Sequence, residues 1–449
     1  MRRQLAKLVD QHPYVCGVAG ALAVYLALTL PVGFTFMADD WGHLAAAEQL
    51  PHLYADRFSA WLARVPVWSV LAWLIFDSHV FERTWAPMYL VFAAHAGAVA
   101  LIARWLLRQL DGNGEQPAAR SWVIAFATGA GALYPNVYEI LYWPTCMPYA
   151  VGGLFVAAAL YARTTVAKTV LAALAFLTYE TFLLPTLALM LAPAVLNSRP
   201  SEGQAKRVRE IMRYAVPWFG ALAVMLVVRG VASKYVGAFQ HRVNANLGHA
   251  MAQVLVSAKQ LFQIRFFGSG TNELATGVML GVVIAASALL WRRWRWRSRP
   301  VILLAASLLS TSLYWVLDYN AMRAIYGAQI MFVAAMIWLV VQASRTGVRP
   351  VAVGAALLAL AAGFVGQSVS VMRIKDHNAQ VLAVREASLA AKIEACNSTC
   401  VVPYEDLDAG LAKDWVLHRH YWHSYLERLH YKYGRNKHIE FVSASPARE

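Results

Sequence analysis

The stretch from Tyr14 to Phe36, YVCGVAGALAVYLALTLPVGFTF, decides the fold. It carries no charged side chain, and about 20 apolar residues suffice for a helix to cross a bilayer. Directly behind it come Met37-Ala38-Asp39-Asp40-Trp41-Gly42-His43. A charge drawn into hydrocarbon costs about 2.5–3.5 kcal/mol on insertion scales. Two adjacent acids at the end of a span are therefore set at the boundary for a reason. The side they face organises the rest of the reading.

The whole chain has the same character. It is 59% hydrophobic and 14% charged, against about 25% charged in a soluble domain. Several further apolar runs are long enough to span. Runs this long read as helices, because lipid admits only helices or closed barrels. A porin-type barrel would alternate apolar and polar residues, and these runs do not. The first span lacks a small-residue cleavage site behind a short apolar core, so it reads as an anchor rather than a removed signal peptide.

The formal net charge is +15. Nucleic-acid binding would be one reason for it, but positive-inside topology explains more. Basic residues gather at Arg2-Arg3-Lys7, Arg104/Arg108/Arg120, Arg163/Lys168, Arg199 to Arg213, Arg292 to Arg299 and Arg345/Arg349. These patches and their loops hold 20 Lys/Arg against 5 Asp/Glu, the alternate loops 9 against 10, and the tail after Val371 11 against 10. The excess lies in one set of alternating loops, which we assign to the cytoplasm. No role with nucleic acid is expected.

The spans are read as 14–36, 86–107, 121–138, 148–162, 166–178, 181–197, 214–231, 274–291, 300–317, 324–343 and 351–371. The expectation is an all-α polytopic membrane protein of about eleven helices, N-terminus inside and C-terminus outside. It divides into a membrane domain, 1–371, and a small outer tail domain, 372–449. Spans 166–178 and 181–197 are interrupted by Tyr179-Glu180 and read as two helices meeting at the outer surface. One continuous helix is the alternative. In the long first outer loop, 37–85, Val65 to Phe81 is either a membrane helix or a re-entrant or interfacial juxtamembrane one, and Arg104/Arg108 favour the second. The patterning around Ala250 to Phe267 suits a helix on the membrane surface. In the tail, Trp415, Trp422, Leu429 and Tyr433 follow a helical stripe. Cys396 and Cys400 are placed for a disulfide outside the cytoplasm, although so short a loop can strain the geometry. Four histidines of the tail, His418, His420, His423 and His430, follow no established metal-ligand pattern.

With this topology, groups from loops far apart in sequence fall at one depth on the outer side. They are Asp39, Asp40 and His43; Arg57 and Arg64; Glu139, Tyr142 and Trp143; Tyr179 and Glu180; Arg229 and Lys234; and Asp318, Asn320 and Arg323. One cleft at the outer surface would collect them.

On these residues the chain resembles the GT-C superfamily of integral membrane glycosyltransferases. Asp39-Asp40-Trp41-Gly42-His43 sits where that family carries an acidic motif in its first outer loop. Tyr138-Glu139-Ile140-Leu141-Tyr142-Trp143 and Tyr179-Glu180-Thr181-Phe182 look like stretches of bacterial polysaccharide-modifying members. The resemblance covers roughly 1–371. It implies transfer of a sugar from a polyprenyl-phosphate donor to a cell-envelope glycan or lipid acceptor, at the outer face of a bacterial cytoplasmic (inner) membrane. Membrane lipids are the surrounding partner.

The chemistry needs a base and an anion site. An acceptor hydroxyl is a poor nucleophile near neutral pH until a carboxylate takes its proton. By the resemblance, Asp39 is that base, with Asp40 orienting the acceptor, binding a metal or sharing the role. The departing lipid phosphate gains charge, which arginine forks stabilise. Arg323 and Arg229 are the first candidates, followed by Arg57, Arg64 and Lys234. His43, Glu139, Tyr142, Trp143, Tyr179 and Glu180 are candidates to line the substrate. A divalent cation, Mg or Mn, serves some family members and not others, and no ligand set decides it here. Bland readings stand beside these: the twin acids can cap the following segment, and Arg323 can anchor in the headgroups. Two other functions compete, a lipid-linked glycan flippase or transporter and an O-antigen polymerase or ligase. The absence of visible repeats and midplane charges tells against the first. The second would centre on the 232–273 loop, at His241, Arg242, His249 and Arg265.

Overall fold

The computed structural model describes residues 2–31, 34, 66–77, 80–110, 121–134, 137–196, 204–236, 299–311, 325–345, 350–404 and 419–443, with scattered positions between 248 and 288. The expected spans at 274–291 and the loops 37–65 and 312–324 lie almost wholly outside that set.

The described chain is a helical membrane protein. Four of its helices are long and apolar enough to cross a bilayer: Ala86–Gln109, Pro144–Tyr161, Gln204–Ala232 and Tyr326–Arg345. A fifth is reached if the bent pair Arg3–Gln11 and Pro13–Thr29 is one span. The expectation of eleven is therefore not met among the described residues. Pro66–Phe76, Ser121–Ala132, Thr165–Thr178 and Glu180–Leu196 are apolar but fall at 10–17 residues, short for a crossing at about 1.5 Å per residue.

We number the helices in chain order: α1 (Arg2–Gln11), α2 (Pro13–Thr29), α3 (Pro66–Asp77), α4 (Val80–Arg83), α5 (Ala86–Leu110), α6 (Ser121–Ala132), α7 (Tyr138–Tyr142), α8 (Met147–Tyr161), α9 (Thr165–Thr178), α10 (Leu183–Leu196), α11 (Gln204–Val236), α12 (Arg299–Leu309), α13 (Tyr326–Arg345), α14 (Pro350–Glu394) and α15 (Arg419–Tyr433). Pro13 begins α2 at the position where a missing N–H is harmless. Thr164 caps α9, its hydroxyl oxygen accepting from the Ala167 N–H at 3.1 Å.

Small residues let the helices approach. A Cβ on Gly17 of α2 would sit 2.5 Å from the Ala125 carbonyl oxygen and 2.9 Å from Thr128 Cβ on α6. On the other flank of α6, a Cβ on Gly131 would meet Ile337 and Val333 of α13 at 2.8–2.9 Å. Backbone proximity of this kind replaces the hydrophobic driving force that lipid does not supply. α13 is the centre of the bundle, with every residue from Tyr326 to Ala343 buried.

The pair 166–178 and 181–197 is broken, as the two-helix reading expects. Tyr179 is extended at φ −165°, ψ 151°, and one 3₁₀ turn, Glu180–Phe182, leads into α10. Pro66–Asp77 is a 12-residue helix inside the segment expected to be either spanning or juxtamembrane.

The last helix differs from expectation in extent. Hydropathy falls after Val371, yet α14 continues unbroken to Glu394, 45 residues in all. Its outer part carries Leu382, Leu389 and Ile393, buried beneath the tail. The tail is a small βαβ unit. Strand Thr399–Tyr404 pairs in parallel with strand His438–Ser443, from Thr399↔His438 to Tyr404↔Ser443, and α15 crosses between them. Val402, Tyr425, Leu426 and Leu429 close its core on α14. Lys437 Nζ donates to the Ile393 and Glu394 carbonyl oxygens at 2.9 and 3.0 Å, satisfying the C-terminus of α14. Cys396 and Cys400 are joined, with their Cα atoms 5.8 Å apart, inside the range that suits a disulfide. Burial pushes the Tyr425 hydroxyl pKa up.

Candidate functional site

The two ends of the bundle differ in chemistry. One end collects arginines: Arg104 lies over the Tyr14 ring at 5.9 Å, and Arg108, Arg163, Arg207, Arg209 and Arg213 are exposed. The other end collects tyrosines, a histidine and one ion pair. The site is built there, from the helix termini inward.

Three elements meet around Tyr326, the first residue of α13. Its hydroxyl lies 2.8 Å from His95 Nδ1 of α5, and both residues are wholly buried. Tyr149 of α8 packs edge-on against it at 6.3 Å, and Phe182 of the 3₁₀ turn does so at 6.0 Å. The next residue, Gly327, donates its N–H to Thr181 Oγ1 at 3.0 Å. Glycine is needed here, because a Cβ at 327 would collide with the Thr181 carbonyl oxygen. The broken helix is thereby latched to the central one.

This latch fixes Glu180. Its Oε1 accepts from Arg229 Nη1 of α11 at 2.6 Å, an ion pair whose side chains are 14% and 16% exposed. The arginine's other edge is the informative part. Among the described residues, Nε and Nη2 are both buried without a hydrogen-bond partner, and so is Glu180 Oε2. Nε and Nη2 point the same way and form the edge that grips a carboxylate or phosphate with two parallel bonds. Tyr149 and Tyr179 pack beside the turn at a tilt of 38°, with centroids 4.8 Å apart. The arrangement brings two donors, one acceptor and an aromatic wall together from α8, α11 and the 3₁₀ turn.

The sequence candidates divide accordingly. Tyr179, Glu180 and Arg229 come together. Tyr142 is buried in an aromatic cluster instead, stacked on Tyr25 at 5.5 Å, where Tyr25 also stacks on Phe92 at 4.2 Å. The Tyr25 hydroxyl donates to the Leu141 carbonyl oxygen. Trp143 is likewise buried, next to this cluster in the chain. Lys234 is exposed, and its position five residues beyond Arg229 puts it on a different face of α11. Asp39, Asp40, His43, Arg57, Arg64 and Arg323 lie outside the described residues, as does the side chain of Glu139. Among the described residues no three His, Cys, Asp or Glu side chains gather as metal ligands. His430 of the tail has its Nε2 3.0 Å from the Lys437 carbonyl oxygen, a turn contact.

Sequence reasoning missed His95, Tyr149, Thr181, Tyr326 and Gly327. One signal was available: His95 interrupts the apolar run 86–107, and an ionisable residue inside a span is a functional candidate by default. The chain matches no family model, no curated protein and no solved structure, so function must be argued from the site's own chemistry.

Proposed function

We propose that this chain is a membrane glycosyltransferase of the GT-C kind, drawing a sugar from a polyprenyl-phosphate donor and passing it to a cell-envelope glycan or lipid acceptor. The observation that carries the reading is the buried Nε/Nη2 edge of Arg229, which no described residue bonds while Nη1 is held by Glu180. A buried guanidinium edge with nothing to bind is unfavourable, and an anion of phosphoryl geometry completes it. Glu180 Oε2 then accepts a bond from a sugar hydroxyl, and Tyr149 and Tyr179 supply the apolar wall.

In the full proposal the membrane part has about eleven helices, the amino terminus and arginine-rich end cytoplasmic and the tail outside, in a bacterial inner membrane. The Cys396–Cys400 bond supports an oxidising location for the tail. Asp39 acts as general base on the acceptor hydroxyl, with Asp40 orienting it or sharing the role. The C1–O bond to the lipid phosphate breaks as the acceptor oxygen bonds to C1. The acceptor proton passes to the carboxylate, and the lipid phosphate leaves as an anion held by Arg229, assisted by Arg323. Residues Arg57, Arg64, Lys234, His43, Glu139, Tyr142 and Trp143 complete the wider candidate set.

The test is purified protein in liposomes with a radiolabelled polyprenyl-phosphate sugar. Transfer to added acceptor is expected from the native chain, to fall at least tenfold in Arg229→Gln, and to vanish in Asp39→Asn. Movement of the donor across the bilayer with no transfer product would overturn the enzyme reading in favour of a flippase.

A further inference from the structure

We propose that α1 is a docking site for anionic phospholipid headgroups, lying flat in the interfacial layer at the arginine-rich end of the bundle. The chain turns by 113° between Arg3–Gln11 and Pro13–Thr29. A span that runs along the membrane normal therefore puts its preceding helix nearly in the membrane plane. One flank of α1 packs on α2 and α6. The remainder is strongly two-sided. Leu5 and Leu8, three apart and on one face, are 60% and 50% exposed. Arg3, Lys7 and Gln11, each four apart, are exposed on the opposite face. That is the pattern of a helix seated at the boundary between headgroups and acyl chains, with its leucines down.

The charge points to one kind of lipid. Residues 2–11 hold Arg2, Arg3 and Lys7 against Asp10 alone. Arg104 reaches over Tyr14 just beyond the bend, so the cations of α5 share its level. Arg108, Arg163, Arg207, Arg209 and Arg213 are exposed cations near the ends of helices that reach this end of the bundle. Basic side chains so close to an interface are drawn to phosphate-bearing lipids of net negative charge, and this attraction fades with salt. A zwitterionic surface would satisfy the leucines but not the lysine and arginines. The proposal is independent of the glycosyltransferase reading.

The test uses the full-length protein in nanodiscs of phosphatidylglycerol or of phosphatidylcholine. Cys16 is replaced by Ala, and an environment-sensitive fluorophore is attached at Leu8→Cys or, separately, at Gln11→Cys. In phosphatidylglycerol the position-8 label should be blue-shifted and quenched severalfold less by aqueous iodide than the position-11 label. In phosphatidylcholine, and in phosphatidylglycerol with Arg3→Glu added, this protection should fall severalfold. Equal protection in both lipids, or none in either, overturns the proposal. So does protection that rises with protein concentration in detergent, which would mean a second copy covers the leucines. Native mass spectrometry of the unlabelled protein gives a second reading. Retained phosphatidylglycerol should exceed retained phosphatidylcholine severalfold, and Arg3→Gln with Lys7→Gln should reduce that preference; no preference, or an unchanged one in the variant, overturns the proposal.

Discussion

Glu180 and Arg229 offer the sharpest test of how this bundle is held. Glu180→Gln keeps size and removes one charge, whereas Arg229→Gln removes the charge and also shortens the side chain. At 2.6 Å, an effective dielectric of about 20 gives a gross attraction of roughly 6 kcal/mol. Most of that is returned as desolvation, because both side chains are about five-sixths buried. A hydrogen bond between charged groups nets about 1.5–3 kcal/mol. Each single variant also strands the other charge, so each should lose about 3 kcal/mol. The double variant strands nothing and should lose little more than one single variant, giving a coupling of about 2–3 kcal/mol. The assay is equilibrium unfolding in mixed micelles followed by tryptophan fluorescence. Trp218 contributes to that signal from beside the pair, its Nε1 donating to the Leu183 carbonyl oxygen just past the 3₁₀ turn at 2.8 Å. If the two single losses simply add, within about 0.5 kcal/mol, the pair does not hold α11 to the turn and the site argument fails.

Other outcomes are as open to measurement. Gly17→Ala forces apart two helices in backbone contact and should lower stability by about 1–3 kcal/mol; Gly20→Ala, where a Cβ meets nothing within 4 Å, should be neutral or slightly stabilising in the same melt. Cys400→Ser opens a loop of about five residues, which in the chain-entropy treatment removes about 2 kcal/mol from the tail. Limited proteolysis should then cut between 396 and 443 sooner, with the bundle intact. Lys432 should give the tail a basic limb. Burial alone would lower its pKa, but the hydrogen bonds from Lys432 to Tyr433 and Glu386, with the Glu386 carboxylate 3.1 Å away, outweigh it and raise it above the usual 10.5. A raised folded pKa means the contribution is complete below 10.5 and is lost as pH climbs through the higher folded value. Tail melting should therefore drop more steeply above pH 10.5 in the native chain than in Glu386→Gln.

How far the sequence reaches depends on the physics behind each feature. Apolar runs are local, so α5, α8, α9 and α13 begin within two residues of their expected starts. The break at Tyr179-Glu180 was visible as polarity between two apolar runs. Span length was less legible: α2 stops at Thr29 rather than 36, and α6 at Ala132 rather than 138, where Leu133 and Tyr134 stay apolar because they are buried outside the helix. The outward run of α14 was hidden from hydropathy, since helical hydrogen bonding continues in water once Leu382, Leu389 and Ile393 find the tail to cover them. The charge pattern placed Glu180 and Arg229 at one depth, but their direct pairing, 49 residues apart in sequence, depends on the latch between Gly327 and Thr181. No periodicity encodes that contact. The parallel pairing of two short strands across a helix is equally non-local, as is the packing of Tyr142 on Tyr25.

The unbroken α14 has a mechanical consequence. Ser368 near Tyr142 and Glu394 beneath the tail are joined by a single rod of about 40 Å. A rod without a hinge holds its cap at a set altitude and lets it turn only as the shaft turns. The folded tail is thus carried at the far end of this shaft from the Tyr25–Tyr142 cluster, and a rotation of the shaft at Ser368 turns the tail with it.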